Sequence, residues 1–182
     1  MKMKSNICHN PIHVFLLMMF LQASCVQQQP AQKAPRMSDR EKEEMLLRVN
    51  KFLVEKDVEL IESYAARRGW NMEVSETGLF YEIYEKTDGR RVKEGEIVTI
   101  YYEVSLLDGS TCYTSDEDGP MEFRLGRSQE ISGLDQGLAM MREGEKARFI
   151  IPPHLGYGLI GDEKRIPARS ILVYLVELVE IE

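Results

Sequence analysis

The sequence reads as an α+β fold: an antiparallel sheet wrapped on one short helix and preceded by a long amphipathic helix. A change of pattern carries that reading. From 38 to 69 the apolar residues recur at three- and four-residue steps, the spacing of a helix face, and beyond Gly69 they fall into short alternating or β-branched runs. The 182 residues, 43% hydrophobic and 29% charged, suit one soluble domain with extensions. A formal charge of -7 argues against an extended phosphate-binding surface, so nucleic acid is not an expected partner. Three scattered cysteines and three histidines are too few for a disulfide scaffold or a four-ligand zinc site, and no metal or cofactor is expected.

Residues 1–24 have the pattern of a signal peptide: Lys2 and Lys4, then the wholly apolar run Val14 to Leu21. Eight residues rise only about 12 Å as a helix, whereas a bilayer core needs roughly 20 residues, so export is expected rather than a permanent span. Leu21-Gln22-Ala23-Ser24-Cys25 resembles a bacterial lipobox, with Gln22 where a large aliphatic residue usually stands and Leu21 one place earlier. Lipidation of Cys25 is the expectation; a plain secretory signal leaving Cys25 a free thiol is the other reading. Loss of the leader removes Lys2, Lys4 and no acid, leaving 21 basic against 30 acidic residues, a net of -9. His154 is then the one histidine, and Cys112 the one thiol besides Cys25. Residues 25–37 (CVQQQPAQKAPRM) form the lipidated cysteine and a flexible spacer.

Residues 38–77 form an amino-terminal helical extension. Ser38-Asp39-Arg40-Glu41 has the form of a capping box. From it Met45, Val49, Phe52, Leu53, Leu60, Ile61 and Tyr64 extend one helix of about 30 residues, some 45 Å long, ending near Gly69. Two readings of the stripe stand: it docks on the following domain, or it binds a partner, including a second copy through the 38–69 helix.

Residues 78–182 carry the sheet. Leu79 to Tyr84 alternate; Ile97 to Leu107 is rich in β-branched and aromatic residues and closes on the turn pair Asp108-Gly109; Ala147 to Ile151 and Ile171 to Ile181 are two more strands. Ile131 to Met141 reads as the short helix.

Six ordered segments then point to a family. Tyr101-Tyr102 precedes Leu107-Asp108-Gly109; Phe123-Arg124-Leu125-Gly126 and Glu130-Ile131-Ser132-Gly133-Leu134 follow; then come Gly144-Glu145-Lys146-Ala147, Ile151-Pro152-Pro153 with Gly156-Tyr157-Gly158, and Ile166-Pro167. From about Gly78 to Glu182 the chain resembles the FKBP-type peptidyl-prolyl cis-trans isomerases, which implies an FKBP-like sheet. The long helix, Trp70 and 75–81 resemble an extension of lipoprotein FKBPs in the gliding-motility-associated group of Bacteroidetes-type bacteria.

The resemblance implies a site. Tyr102, Ile131 and Tyr157 take the catalytic positions, the backbone N–H of Ile131 and the Tyr157 hydroxyl donating to substrate carbonyls. Cys112, Tyr113, Met121, Phe123, Glu130, Leu134, Ile166 and Tyr174 bind substrate, with Leu134 as the floor beneath the proline ring. Three positions depart from the family: Tyr113 replaces an aspartate whose electrostatic contribution is then missing, Cys112 replaces an aromatic, and Leu134 a tryptophan. Lost ring area of that kind is worth roughly 1–2 kcal/mol, about tenfold in rate or affinity, so weakened isomerase activity is expected. A non-catalytic lipoprotein chaperone or partner-binding module is the alternative.

Other motifs carry less. Gly156 to Gly161 matches GxGxxG, but Pro167 and the polar run after it leave no helix for a dinucleotide site. His154 lacks an elbow or oxyanion motif and reads as a solvated loop histidine. Cys112 has no basic sequence neighbour to activate it and reads as a half-buried pocket residue. The expected partners are proline-containing polypeptides of the cell envelope and a membrane reached through the lipid anchor. With no acidic run after Cys25, the expected place is the periplasmic face of the outer membrane.

Overall fold

The computed structural model describes residues 37–127 and 130–182. The leader, Cys25 and all of the spacer but Met37 lie outside the described residues. Helix α1 spans Asp39–Arg68. Its start is the reciprocal box: Ser38 N donates to Glu41 Oε2 at 2.7 Å and Glu41 N to Ser38 Oγ at 3.3 Å. At its end Gly69 takes φ +67°, and Gly69 N and Trp70 N return to the carbonyls of Ala66 and Ala65 at 3.2 and 3.1 Å. Only a residue that tolerates the left-handed region closes a helix in this way.

The sheet comprises β1 (Glu73–Val74), β2 (Phe80–Glu85), β3 (Ile97–Leu106), β4 (Thr111–Thr114), β5 (Met121–Arg124), β6 (Lys146–Ile151) and β7 (Leu172–Ile181). Its order is β1-β2-β6-β7-β3-β4, with β5 also on β3, and every pairing is antiparallel. Two short helices, α2 (Ser115–Asp118) and α3 (Ser132–Ala139), and a 3-10 turn at Pro153–Leu155 complete it. The α+β class is therefore as the sequence reads. β2, β3, β6, β7 and α3 lie on the stretches expected for them, whereas β1, β4, β5 and α2 add to the expectation.

Strand alternation makes the sheet serve two cores. Phe80, Ile150 and Val173 stand in one row across β2, β6 and β7, by the registers Phe80↔Ile150 and Ile150↔Val173, and bury Ile61, Tyr64 and Ala65 of α1. Their chain neighbours Phe149, Ile151, Leu172 and Tyr174 face the other way, onto Leu134 and Leu138 of α3. Each such fully buried side chain contributes about 1.5–3 kcal/mol. Close approach explains two glycines inside α3 despite their propensity cost. A Cβ on Gly137 would stand 2.7 Å from the Phe149 ring, and one on Gly133 2.5 Å from Ile151 Cγ2.

Docking holds the carboxyl half of α1. Asp57, Ile61, Tyr64 and Ala65 are buried, and Asp57 pairs with Arg169 at 2.7 Å. Upstream, Met45, Val49 and Phe52 remain 51%, 43% and 64% exposed. The stripe read as one face is thus two: its Ile61 and Tyr64 turn to the sheet, together with Val58 and Ala65, and its Met45, Val49, Phe52 and Leu60 do not.

Candidate functional site

A cavity of about 310 Å3 opens on the α3 side of the sheet. β3 supplies Tyr102 and Val104, β4 Tyr113, β5 Met121, and β7 Tyr174; Glu130 precedes α3, and Tyr157, Asp162 and Lys164 come from the loop before β7. Tyr102 is seated by its backbone N–H, which donates to Ser115 Oγ at 3.1 Å. A bulge sets β4: Val104 pairs with Tyr113 but Ser105 with Thr111, so Cys112 is an extra residue. Consecutive strand residues ordinarily point to opposite faces; here Cys112 and Tyr113 both turn inward.

The residues expected at the site divide into a wall and a bed. Tyr102, Tyr113, Met121, Glu130, Tyr157 and Tyr174 line the cavity. Cys112, Ile131, Leu134 and Ile166 are buried in the core, Leu134 wholly so, and Phe123 packs half-buried against it. Cys112 is therefore more buried than its half-buried reading. Ile131 caps α3, and its carbonyl accepts from Leu134 N and Asp135 N at 3.0 and 3.3 Å.

Val104, Asp162 and Lys164 were not expected on the wall. Asp162 changes the electrostatics. Its Oδ2 accepts the Tyr113 hydroxyl, and its Oδ1 accepts Lys164 N at 2.9 Å and Ile166 N at 2.7 Å. A carboxylate from the loop before β7 thus lines the cavity beside Tyr113, although the strand itself carries none. Burial opposes the Asp162 charge, but these three donors outweigh it and keep the carboxyl below its usual range. Burial, and then the bond to Asp162, push the Tyr113 phenol up to about 12. Burial likewise raises Tyr102, Tyr157 and Tyr174, so four neutral hydroxyls face the cavity at pH 7. Glu130 is raised by burial and by Asp135.

The other motifs fall elsewhere. His154 is exposed in the 3-10 turn, and its Nε2–H donates to the Thr77 carbonyl at 2.9 Å, a partner that the loop reading did not include. Residues 156–171 contain no helix, so the glycine pattern opens no dinucleotide site. Burial pushes the Cys112 thiol up, with Asp162 and Asp108 adding to it and Arg165 opposing.

The family described as FKBP-type peptidyl-prolyl cis-trans isomerase matches residues 88–179. FK506-binding protein 2 of Yarrowia lipolytica is 38% identical over 106 residues, 58% of this chain and 74% of that protein. Peptidyl-prolyl cis-trans isomerase FKBP15-2 of Arabidopsis thaliana is 34% identical over 138 residues, 75% of this chain and 83% of its own. Among solved structures, FkpA from Escherichia coli superposes with a TM-score of 0.61 at 30% identity, covering 81% of this chain and 74% of its own. AtFKBP13 does so with 0.58 at 28% identity over 62% and 99%. With the cavity and the sheet order, these matches make the chain a member of the FKBP-type peptidyl-prolyl cis-trans isomerase family.

Proposed function

We propose that the protein isomerises X-Pro bonds of exported polypeptides, with activity weakened by Cys112 and Leu134, from a lipid anchor at Cys25 on the periplasmic face of the outer membrane. The observation that carries the catalytic part is one cavity in which Met121, Val104 and four neutral tyrosines form most of the wall, with Glu130, Asp162 and Lys164 completing it. A prolyl amide is planar by resonance, and its rotation barrier is about 18–20 kcal/mol. No bond is broken in crossing it. The twisted transition state loses the charge separation of the planar amide, so a pocket whose wall is largely aromatic and aliphatic favours it over the ground state. The Tyr157 hydroxyl holds a flanking carbonyl while the amide turns. The lipobox-like Leu21 to Cys25 and the likeness to lipoprotein FKBPs of the gliding-motility-associated group support the anchored placement.

The test is isomerisation of a short X-Pro peptide. The parent is expected to exceed the uncatalysed rate, and Tyr157→Phe to lower kcat/KM about tenfold, the worth of one buried hydrogen bond. No acceleration by the parent, together with acceleration by Tyr113→Asp/Leu134→Trp, would replace the enzyme by a binding module. Labelling with palmitate, lost in Cys25→Ala, tests the anchor.

A second reading rests on α1. Met45, Val49, Phe52 and Leu60 form an exposed apolar stripe on a helix that is already docked by another face, and such a stripe suits contact with a second copy. Sedimentation is expected to give a dimer for the parent and a monomer for Phe52→Glu. A parent monomer at all concentrations would remove the dimer.

A further inference from the structure

The departure at Tyr113 has its own chemistry. A phenol can donate or accept, and which it does in a site depends on its partner. Asp162 is an acceptor only, already gathering two backbone N–H groups, so the Tyr113 proton goes to it and cannot go elsewhere. The ring is held in that orientation. Val104 pairs with Tyr113 across β3 and β4, Arg165 lies over the ring at 5.0 Å, and Arg165 Nη1 donates to the Cys112 carbonyl at 2.8 Å. What the Tyr113 oxygen offers the cavity is its lone pairs, made more basic by the carboxylate behind.

Tyr157 has the opposite sense. It lines the same cavity, and burial keeps its hydroxyl protonated. The Tyr157 proton is thus available to a substrate carbonyl. An X-Pro segment presents carbonyls on X and on proline, no N–H on proline itself, and N–H donors only on X and on the residue after proline. Tyr157 serves the first kind of group. For the second kind the wall carries acceptors at Tyr113, Asp162 and Glu130, and of these the Tyr113 oxygen is the one whose own proton is committed to a neighbour.

We propose that Tyr113 is that acceptor, taking a backbone N–H adjacent to proline, with Asp162 as the positioning residue that commits its proton and fixes its direction. A strand tyrosine and a loop aspartate thus replace, as one unit, an acid on the strand. This rests on the isomerase reading for its ligand.

The experiment compares kcat/KM, and separately the Kd from peptide titration, for the full chain and for Tyr113→Phe, Asp162→Asn and the double variant. Each single variant is expected to lose roughly tenfold, and the double no more than the worse single, because the two act as a unit. Tyr113→Phe leaves the Asp162 bonds to Lys164 N and Ile166 N in place, so its loss does not come from a loosened loop. Two ester analogues of the peptide complete it, with the N–H of X or of the residue after proline replaced by oxygen. One ester is expected to bind and turn over about tenfold worse on the parent and to lose nothing on Tyr113→Phe. Equal losses on both proteins for both esters, or parental behaviour of Tyr113→Phe, would overturn the proposal. A parent that binds the peptide without turning it over would sink the isomerase reading alone, since the ester comparison is then read in Kd.

Discussion

Cys112 and Tyr113 show how a one-residue bulge decides chemistry. With both turned inward, one becomes bed and the other wall, and no local pattern in Thr111-Cys112-Tyr113-Thr114 announces it. Cys112 is 4% exposed and its thiol is pushed up by burial, so it is expected to be inert. In residues 26–182 produced without the leader and Cys25, a chromogenic disulfide reagent should find no thiol in the native state and one after denaturation; immediate stoichiometric reaction would contradict the burial. Tyr113 gives a pH signature. Its phenol is raised in the fold to about 12, so the stabilisation it represents is complete below the unfolded tyrosine range near 10 and is lost as pH rises towards 12. Denaturation midpoints of the parent should fall between pH 10 and 12, and fall less in Tyr113→Phe, where the raised Tyr102, Tyr157 and Tyr174 remain. Equal falls would mean that neither burial nor the bond to Asp162 raises the Tyr113 phenol in solution. Asp162 itself was not legible as a wall residue, because its partner lies 49 positions away and the family resemblance looks for the acid on the strand.

Elements long enough to show a period were legible, and short ones were not. Ten residues in β3 and ten in β7 display their alternation, and 30 in α1 their helical spacing, whereas the two residues of β1 and four each of β4 and β5 offer too few turns of the pattern to read. The legible part of the site followed the order of the family's motifs rather than any period: Tyr102, Met121, Tyr157 and Tyr174 stand on the wall. Alpha1 was legible as a helix but not as two faces, since which of its apolar residues dock depends on where Phe80, Ile150 and Val173 stand. Alanine substitutions separate the two. Ile61→Ala removes a wholly buried side chain and should cost about 2–5 kcal/mol, whereas Val49→Ala, on the exposed stripe, should stay within about 0.5 kcal/mol for the monomer. In α3 the usual gain from replacing a helical glycine, about 1 kcal/mol, should be reversed at Gly137. Its Cβ would press into the Phe149 ring, and overpacking costs about 1–3 kcal/mol. A higher melting temperature for Gly137→Ala would show that the helix and β6 part more easily than their spacing implies.

At the scale of the whole molecule, α1 and the cavity lie on opposite faces of one sheet, and β6 and β7 contribute alternate side chains to both cores. A β strand cannot melt on one face alone. Loss of the Phe80–Ile150–Val173 row under α1 also releases Phe149, Ile151, Leu172 and Tyr174 on the cavity side, because they belong to the same backbone ladders. Trp70, the one tryptophan, reports on the first core: it packs edge-on to Tyr64 at 5.7 Å, with the Arg148 guanidinium over its ring at 4.9 Å. Peptide binding reports on the second. In urea the Trp70 fluorescence, the far-ultraviolet dichroism of the helices and the peptide-binding signal should therefore follow one curve with one midpoint. Ile61→Ala should move all three together, although Ile61 belongs to the first core and does not line the cavity. A Trp70 transition at lower urea, with peptide binding intact beyond it, would mean that α1 leaves the sheet as a separate unit and that the two cores are not coupled through β6 and β7.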